Sequence, residues 1–251
     1  MSLETIYISE IFSAIQGEGS LIGHRQIFVR LSGCNIRCSY CDQPEALEKK
    51  PGQARIEITA GKRDWEFIQS PMPISKVVQA VEKLGSDLDH HSVSFTGGEP
   101  LFQALPLSQL ASALYPKFNL YLETNGTLPK RLEKVLPWMD IIGMDIKLNS
   151  VDGQQVDKKL HYDFLSLARQ KDVFIKIVVG KDTDEGELVD YVSMVRSLIP
   201  SAEIYLQPLT PFGKVKQSLS SQQLLDLQQV SLEIHDKVRV VPQTHKFINQ
   251  L

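Results

Sequence analysis

The sequence has little of what marks a membrane, secreted or nucleic-acid-binding protein. Its 27 Lys and Arg against 30 Asp and Glu give a net charge of −3, so no basic surface for nucleic acid is indicated. No apolar run approaches the roughly 20 residues of a membrane span, and the start MSLETIYISE lacks the basic and apolar parts of a secretory signal. We therefore expect a cytoplasmic protein with no nucleic-acid or membrane partner.

Cysteine is also scarce, and its placement is informative. The chain has three cysteines, which lie within eight positions at C-x3-C-x2-C spacing: Cys34, Cys38 and Cys41. Three thiolates can hold one metal centre, and an iron–sulfur cubane held by three cysteines keeps one iron open for a reacting molecule. The alternatives are unrelated buried cysteines and a Cys3His zinc site completed by His24 or a distant histidine. The odd count argues against a disulfide framework.

Hydrophobic periodicity after residue 73 predicts alternating helices and strands. Helices are expected at 74–84 (ended by Gly85), 105–115, 131–136, 160–170, 185–198 and 222–235, and strands at 92–96, 118–123, 141–147, 173–179, 203–207 and 238–241. A short strand over 6–8 and 11–12 and a buried strand at 26–31 precede them. This alternation implies α/β architecture with a mostly parallel sheet. We expect one domain over residues 1–251, an incomplete (β/α)6-type barrel with an insertion, such as a hairpin, at about 45–73.

Polar clusters lie at the carboxyl ends of the predicted strands. They are the cysteine loop, Thr96-Gly97-Gly98-Glu99-Pro100, Glu123-Thr124-Asn125-Gly126-Thr127, and Asp145 with Lys147. Because the carboxyl ends of parallel strands meet at one edge of the sheet, we expect a single active site there.

Two further features bear on binding. The turn Gln16-Gly17-Glu18-Gly19 lets backbone approach a ligand, or it is an ordinary surface turn. Arg30 interrupts an apolar strand. Its guanidinium could bind a carboxylate of the substrate, or it could belong to a structural salt bridge.

Two of these motifs resemble the radical SAM (S-adenosylmethionine) superfamily: the cysteine spacing with Tyr40 before the last cysteine, and the Gly-Gly-Glu-Pro run. Within it, the turn at 16–19, the run at 123–127 and the ending Pro242-Gln243-Thr244-His245-Lys246 resemble the 7-carboxy-7-deazaguanine synthases. That resemblance covers residues 11–246. It implies a carbon–nitrogen lyase of queuosine biosynthesis, which converts 6-carboxy-5,6,7,8-tetrahydropterin to 7-carboxy-7-deazaguanine with loss of ammonia.

The resemblance also implies cofactors, partners and site residues. A 4Fe-4S cluster would bind to Cys34, Cys38 and Cys41, with SAM on the fourth iron. SAM would contact Tyr40, Cys41, Asp42, Gly98, Glu123, Asn125, Gly143, Met144 and Asp145. The pterin substrate would contact Ile15, Gln16, Gly17, Arg30, Thr96 and Pro242. An electron donor such as a flavodoxin and a homodimer are also implied.

The sequence departs from the family pattern at two places. Gln43 stands where the family has a Thr or Ser that binds Mg2+; an amide oxygen can also ligate Mg2+, although the longer side chain would displace the ion. The run Asp145-Ile146-Lys147 is similar to the corresponding run of the glycyl-radical activating enzymes, so activation of a glycyl-radical enzyme is an alternative function. A third hypothesis is a non-catalytic zinc-binding interaction module.

Overall fold

Twelve strands are present in residues 4–211 and 219–250, the part of the chain that this computed structural model describes. They are β1 (Thr5–Ile6), β2 (Ile8–Ile15), β3 (Arg25–Leu31), β4 (Gln53–Glu57), β5 (Trp65–Gln69), β6 (Met72–Pro73), β7 (Ser92–Gly97), β8 (Leu120–Thr124), β9 (Ile141–Ile146), β10 (Asp172–Val179), β11 (Ile204–Pro208) and β12 (Val238–Val240).

Helices alternate with the later strands, as the periodicity predicts. They are α1 (Ile74–Asp87), α2 (Ala104–Leu114), α3 (Pro129–Val135), α4 (Asn149–Asp152), α5 (Lys158–Ala168), α6 (Glu185–Leu198), α7 (Ser221–Leu232) and α8 (Thr244–Phe247). Across the described residues, no helix is long and apolar enough to cross a membrane.

Ten of the described strands form one sheet in the order β12-β11-β10-β9-β8-β7-β3-β2-β4-β5. Strand β3 is parallel to its neighbour β7, and the neighbouring strands from β7 to β12 are also parallel. Strand β2 is antiparallel to β3. The sheet has two edges, β12 and β5, so the barrel is incomplete. The expected mostly parallel α/β fold is confirmed. The hairpin expected within 45–73 is formed by β4 and β5, and it extends the sheet beyond β2.

Side chains alternate between the two faces of each strand. On β9, Ile142, Met144 and Ile146 are fully buried in the core between the sheet and its helices. On the inner face, Tyr121, Phe174 and Tyr205 pack around Leu21, which lies in the connection between β2 and β3. Because β2 is antiparallel to β3, this connection enters at the opposite end from the cysteine loop and closes the floor of the barrel.

Two details differ from the sequence prediction. Helix α1 does not end at Gly85 but continues to Asp87. Gly85 lies inside the helix against the ring of Phe118, which a Cβ would approach to 2.7 Å, so the glycine provides room for the ring. The first strand is interrupted at Tyr7, whose backbone N–H donates to Gln103 Oε1 (2.9 Å) and whose carbonyl accepts from Gln103 Nε2 (2.8 Å).

Candidate active site

A cleft in the barrel, open at the carboxyl ends of the parallel strands, collects most of the residues singled out from the sequence. The loops that follow β3, β7, β8 and β9 converge on it, as expected. The predicted site residues in its lining are Ile15, Gln16, Gly17, Arg30, Cys34, Cys38, Tyr40, Cys41, Asp42, Gln43, Thr96, Gly98, Glu123, Asn125 and Asp145.

Three predicted positions are not among the residues that line this cleft. Gly143 faces inward but lies deeper, beside Tyr121 Oη and Phe174. Met144 is fully buried, with its side chain in the core on the other face of β9. Pro242 is exposed, and the residues after it line the cleft in its place: Gln243, His245 and Lys246.

The three cysteines are free thiols: Cys34 is buried, and the other two are half-buried. Burial raises the pKa of each thiol, so thiolate forms would need the positive charge of a bound metal. The backbone at Ile36 and at Gln43 acts in the opposite direction and lowers the pKa of Cys34 and of Cys41. Among the described residues, no three His, Cys, Asp or Glu side chains converge as a single metal ion requires. Three free thiols on one loop that lines the cleft are a donor set that suits an iron–sulfur cluster.

Polar contacts from other loops hold the cysteine loop in place. Asp152 Oδ1 accepts from the Ser39 backbone N–H (2.8 Å). Asn35 Nδ2 donates to Thr127 Oγ1 (2.8 Å), and Asn35 Oδ1 accepts from Asn125 Nδ2 (3.1 Å). The loop is therefore tied to α4 and to the segment after β8.

The Gly-Gly-Glu-Pro segment packs directly on the start of the cysteine loop. A Cβ on Gly98 would lie 2.4 Å from the Gly33 carbonyl oxygen, so this approach requires glycine. Glu99 is fully buried, and its carboxylate accepts from the N–H groups of Leu101 (2.9 Å) and Asn125 (2.8 Å) and from Thr124 Oγ1 (2.9 Å). Burial raises the pKa of Glu99 to about 7. Glu99 thus joins the loops after β7 and β8.

A buried lysine organises the floor of the cleft. Lys176 on β10 is 2% exposed; its ammonium donates to Glu18 Oε2 (2.5 Å) and contacts Glu123 closely, and Asp145 Oδ2 lies 4.0 Å away. Glu123 Oε2 also accepts from Thr96 Oγ1 (3.1 Å). Burial acts to raise the pKa of Glu18, but Lys176 and Gln243 outweigh it and lower that pKa to about 2. The floor therefore holds full charges.

A second ion pair lies between the floor and the cysteine loop. Lys147 Nζ donates to Asp145 Oδ2 (2.7 Å) and lies 5.3 Å from the centre of the Tyr40 ring. Among the described residues, three buried polar atoms of the cleft have no hydrogen-bond partner: Tyr40 Oη, Asp145 Oδ1 and Gln207 Oε1. Buried polar groups are rarely left unpaired, so these atoms fit a site that a polar ligand completes.

Arg30 lines the cleft, as a carboxylate clamp would require, and it also forms the kind of ion pair that the structural interpretation expects. Its Nε donates to Glu10 Oε2 at 3.1 Å, and the other oxygen of Glu10 closely contacts Arg55. The guanidinium of Arg30 therefore lines the cleft from a fixed position.

Residues 243–250, which we call the strap, cover the side of the barrel near β2. Gln243 Nε2 donates to Glu18 Oε1 (2.8 Å) and Asp42 Oδ2 (3.0 Å), and Thr244 N donates to the Gly17 carbonyl (3.0 Å). A Cβ on Gly17 would lie 2.4 Å from the backbone nitrogen of His245, so a side chain there would displace the strap. The strap thus connects the floor turn to the cysteine loop.

Sequence reasoning gave no individual contact to several residues that shape the cleft: Glu18, Lys147, Gln243 and Lys246 stood only within motifs, and Lys176 was not singled out. Lys176, Glu18, Lys147, Gln243 and Lys246 all line it. Lys176 had a usable signal, since it is a lone charge in the apolar run 173–179, as Arg30 is in its own strand. The pairing of Lys176 with Glu18 spans 158 residues, and no local pattern reveals it.

Comparisons with known proteins show which family the chain resembles. Residues 28–192 match the radical SAM superfamily. The chain is 38% identical to a 7-carboxy-7-deazaguanine synthase of Geobacter sulfurreducens, over all of both chains. It is 33% identical to one of Methanocaldococcus jannaschii, over 97% of this chain and all of that one. The crystal structure of QueE from Escherichia coli has a similar fold, with a TM-score of 0.58 and 24% identity over 96% of this chain and 95% of that one.

The superfamily match covers strands β4 to β10, most of β3, the cysteine loop and the Gly-Gly-Glu-Pro segment, so the protein is a radical SAM protein. Its full-length similarity to the relatives named above goes further. The chain belongs to the 7-carboxy-7-deazaguanine synthase family.

Proposed function

We propose that the protein is a carbon–nitrogen lyase that converts 6-carboxy-5,6,7,8-tetrahydropterin to 7-carboxy-7-deazaguanine with loss of ammonia, in queuosine biosynthesis. One observation carries this proposal: a single cleft is lined by the three thiols and by the Arg30 guanidinium above a charged floor. A small carboxylated ring suits such a site. The family membership supports the same reaction and leaves no reason to retain the glycyl-radical activase or the zinc module.

The proposed cofactors are a 4Fe-4S cluster on Cys34, Cys38 and Cys41, and SAM. When bound, they supply the radical chemistry that begins at one C–H bond of the substrate. The donor set of the cysteine loop suits the cluster. For SAM we retain the predicted residues that line the cleft, namely Tyr40, Cys41, Asp42, Gly98, Glu123, Asn125 and Asp145.

For the substrate, the chain supplies binding, orientation and exclusion of water. Arg30 would bind the carboxylate, since a guanidinium suits a carboxylate geometrically and electrostatically. Ile15, Gln16, Gly17 and Thr96 would contact the ring from the floor and the β7 wall. The strap would keep water from the side of the cleft, and a fixed substrate position is worth several kcal/mol in such reactions.

Finer properties are proposed from the family pattern. Gln43 lines the cleft and carries an amide oxygen that can ligate Mg2+, so we propose a weak magnesium site there. We also propose a homodimer, a flavodoxin-type electron donor and a cytoplasmic location, where the three free thiols would stay reduced.

The test is anaerobic turnover. Reconstituted protein is incubated with SAM, a reductant and the carboxylated pterin, with and without Mg2+, and the product is identified by mass. We expect the deazaguanine product, and a roughly tenfold to hundredfold weaker substrate affinity in Arg30→Ala, because a charge-assisted pair is worth about 1.5–3 kcal/mol. Arg30→Lys should recover part of that affinity.

Arg196→Met is the matched control, because Arg196 pairs with Asp236 on the exposed surface. Iron content and melting temperature are measured on each preparation. No product from fully cluster-loaded wild-type protein would refute the proposed reaction. Unchanged substrate affinity in a folded Arg30→Ala protein would contradict the proposed role of Arg30 in binding the substrate carboxylate.

A further inference from the structure

The hairpin β4–β5 places a second arginine beside the substrate clamp. Strand pairing aligns Glu10 of β2 with Arg30 of β3 on one side and with Arg55 of β4 on the other. Directly paired residues project from the same face of a sheet. The three side chains therefore form one row, Arg30–Glu10–Arg55, which runs from the cleft to the hairpin.

The carboxylate of Glu10 is shared between the two guanidinium groups. Its Oε2 accepts from Arg30 Nε at 3.1 Å, and its Oε1 makes a close contact with Arg55. The exposed fractions of the side chains are 10% for Arg30, 16% for Glu10 and 37% for Arg55. Glu10 and Arg30 are thus well shielded from solvent, whereas Arg55 is at the surface.

Aromatic rings hold both arginines in this row. The Arg55 guanidinium carbon lies 4.6 Å from the centre of the Trp65 ring, and that of Arg30 lies 5.5 Å from the centre of Phe12. Trp65 and Phe12 contact each other edge to face at 6.4 Å. Cation–π contacts of this kind favour a fixed guanidinium position, and Trp65 belongs to the hairpin itself.

The net charge of the three side chains indicates what the row does. Two guanidinium groups and one carboxylate leave one net positive charge, whereas Arg30 and Glu10 alone would be neutral. A neutral pair attracts an incoming carboxylate weakly, because Glu10 repels the anion that Arg30 attracts. Glu57 is the other carboxylate on this face of β4. It accepts hydrogen bonds from the backbone N–H groups of Ser13 and Arg63, and none of the variants below changes it.

We infer that Arg55 is a positioning residue for substrate recognition: by sharing Glu10, it leaves Arg30 with a net positive charge for the substrate carboxylate. This assigns a role to the hairpin, and it rests on the proposed function. Arg55 itself does not line the cleft in the described part of the chain, so it acts through Glu10 and Arg30.

The test measures dissociation constants in cluster-loaded protein with SAM, for the carboxylated tetrahydropterin and for tetrahydropterin without the 6-carboxylate. Arg55→Met should weaken the carboxylated ligand by about three- to tenfold, a size expected for a partly screened charge, and leave the carboxyl-free ligand unchanged. Glu10→Gln should tighten the carboxylated ligand. The double variant should return to near the wild-type value, since Arg30 alone also carries one positive charge.

A purely structural role would give a different pattern. Both ligands would then weaken together in Arg55→Met, and the double variant would be worse than either single variant. Arg55→Lys keeps the charge and should keep most of the affinity, so the inference stays testable if Arg55→Met folds poorly. Arg196→Met is again the matched surface control.

The outcomes separate this inference from the proposed function. If wild-type protein does not bind the carboxylated pterin, the proposed function fails and this inference fails with it. If wild-type protein binds it and Arg55→Met binds equally well, or if the double variant shows no recovery, only the role of Arg55 is overturned.

Discussion

The floor of the cleft, around Lys176, and its rim, formed by the cysteine loop and the Gly-Gly-Glu-Pro segment, each contain a carboxyl group that is shielded from solvent, and the two groups have opposite pKa shifts. Burial acts to raise the pKa of both. At the floor, Glu18 is 2.5 Å from the Lys176 ammonium, and its pKa falls to about 2. Behind the rim, Glu99 accepts two backbone N–H groups and one hydroxyl, and its pKa rises to about 7. An opposite full charge in contact reverses the effect of burial, whereas three neutral donors do not.

The two regions also differ in how they are built. The floor depends on side chains from rigid strands, such as Lys176 and Glu123. The rim depends on backbone contacts, such as the approach of Gly98 to Gly33, and on loops that carry the thiols. A change at the rim should therefore remove chemistry more readily than stability, and a change at the floor should do the reverse.

The largest effect is expected at the rim. Replacing any one of Cys34, Cys38 or Cys41 with Ala should abolish the visible absorbance of the reconstituted cluster, because the donor set has no spare thiol. The unfolding free energy of the cluster-free protein should change by only about 1 kcal/mol, a typical size for a point substitution. Iron analysis and urea unfolding on the same preparations check both parts. Full iron content in any single variant would contradict the assignment.

The next largest effect is expected at the floor. Lys176→Met should lower the free energy of unfolding by about 3–5 kcal/mol, since it leaves Glu18 and Glu123 without their cation in a buried site. Urea unfolding at neutral pH measures this loss. Lys159→Met is the control, because its ion pair with Asp163 is exposed and such pairs contribute at most about 1 kcal/mol. A loss in Lys176→Met no larger than in the control would show that the floor charges are not coupled to folding.

The smallest effect is a pH dependence that separates the two carboxyl groups. The pKa of Glu99 is about 7 in the folded protein, against an ordinary 4.5, so its contribution to stability is present below pH 4.5 and is lost as pH rises toward 7. The size is of the order of 3 kcal/mol, at about 1.4 kcal/mol per unit. Glu99→Gln should remove this fall between pH 4.5 and 7.

The contribution of Glu18 has the opposite sign. Its folded pKa of about 2 lies below the ordinary 4.5, so its stabilisation is present above pH 4.5 and is lost as pH falls toward 2. Free energies of unfolding measured from pH 3 to pH 8 in wild type, Glu99→Gln and Glu18→Gln would distinguish the two windows. Parallel pH profiles for all three proteins would contradict the contrast between floor and rim.

Local sequence patterns placed the rim segments together, whereas at the floor they indicated single residues such as Glu123 but not the ion pairs around Lys176. The cysteine spacing and the Gly-Gly-Glu-Pro run are contiguous, and parallel-strand topology places both at one edge. The floor needs partners that are far apart in the chain, such as Lys176 and Glu18, and it needs the antiparallel β2 to bring residues 16–24 in from the opposite end. Hydrophobic periodicity predicts strands but not which residues become neighbours across the barrel.

Packing explains the remaining differences from prediction. Gly85 looks like a helix end because glycine favours that position, yet it serves a close contact with Phe118 inside α1. Met144 is expected at the ligand because it lies at the end of its strand, but the alternation of side chains along β9 places its side chain in the core. Family motifs indicate which backbone segment is near a ligand, and they do not indicate which side chains face it.

The strap has a consequence for the order in which the molecule can be assembled. Its contacts join residues 225 to 235 positions apart, from Glu18 with Gln243 to Ile15 with Gln250. Ribosomes make the cysteine loop and the floor turn early, and the strap is synthesised long after both. Pairings so distant in sequence also form late during folding. It follows that the β2 side of the cleft is covered only after the rest of the barrel has been made, so the cysteine loop gains its contact with the strap at a late stage of assembly.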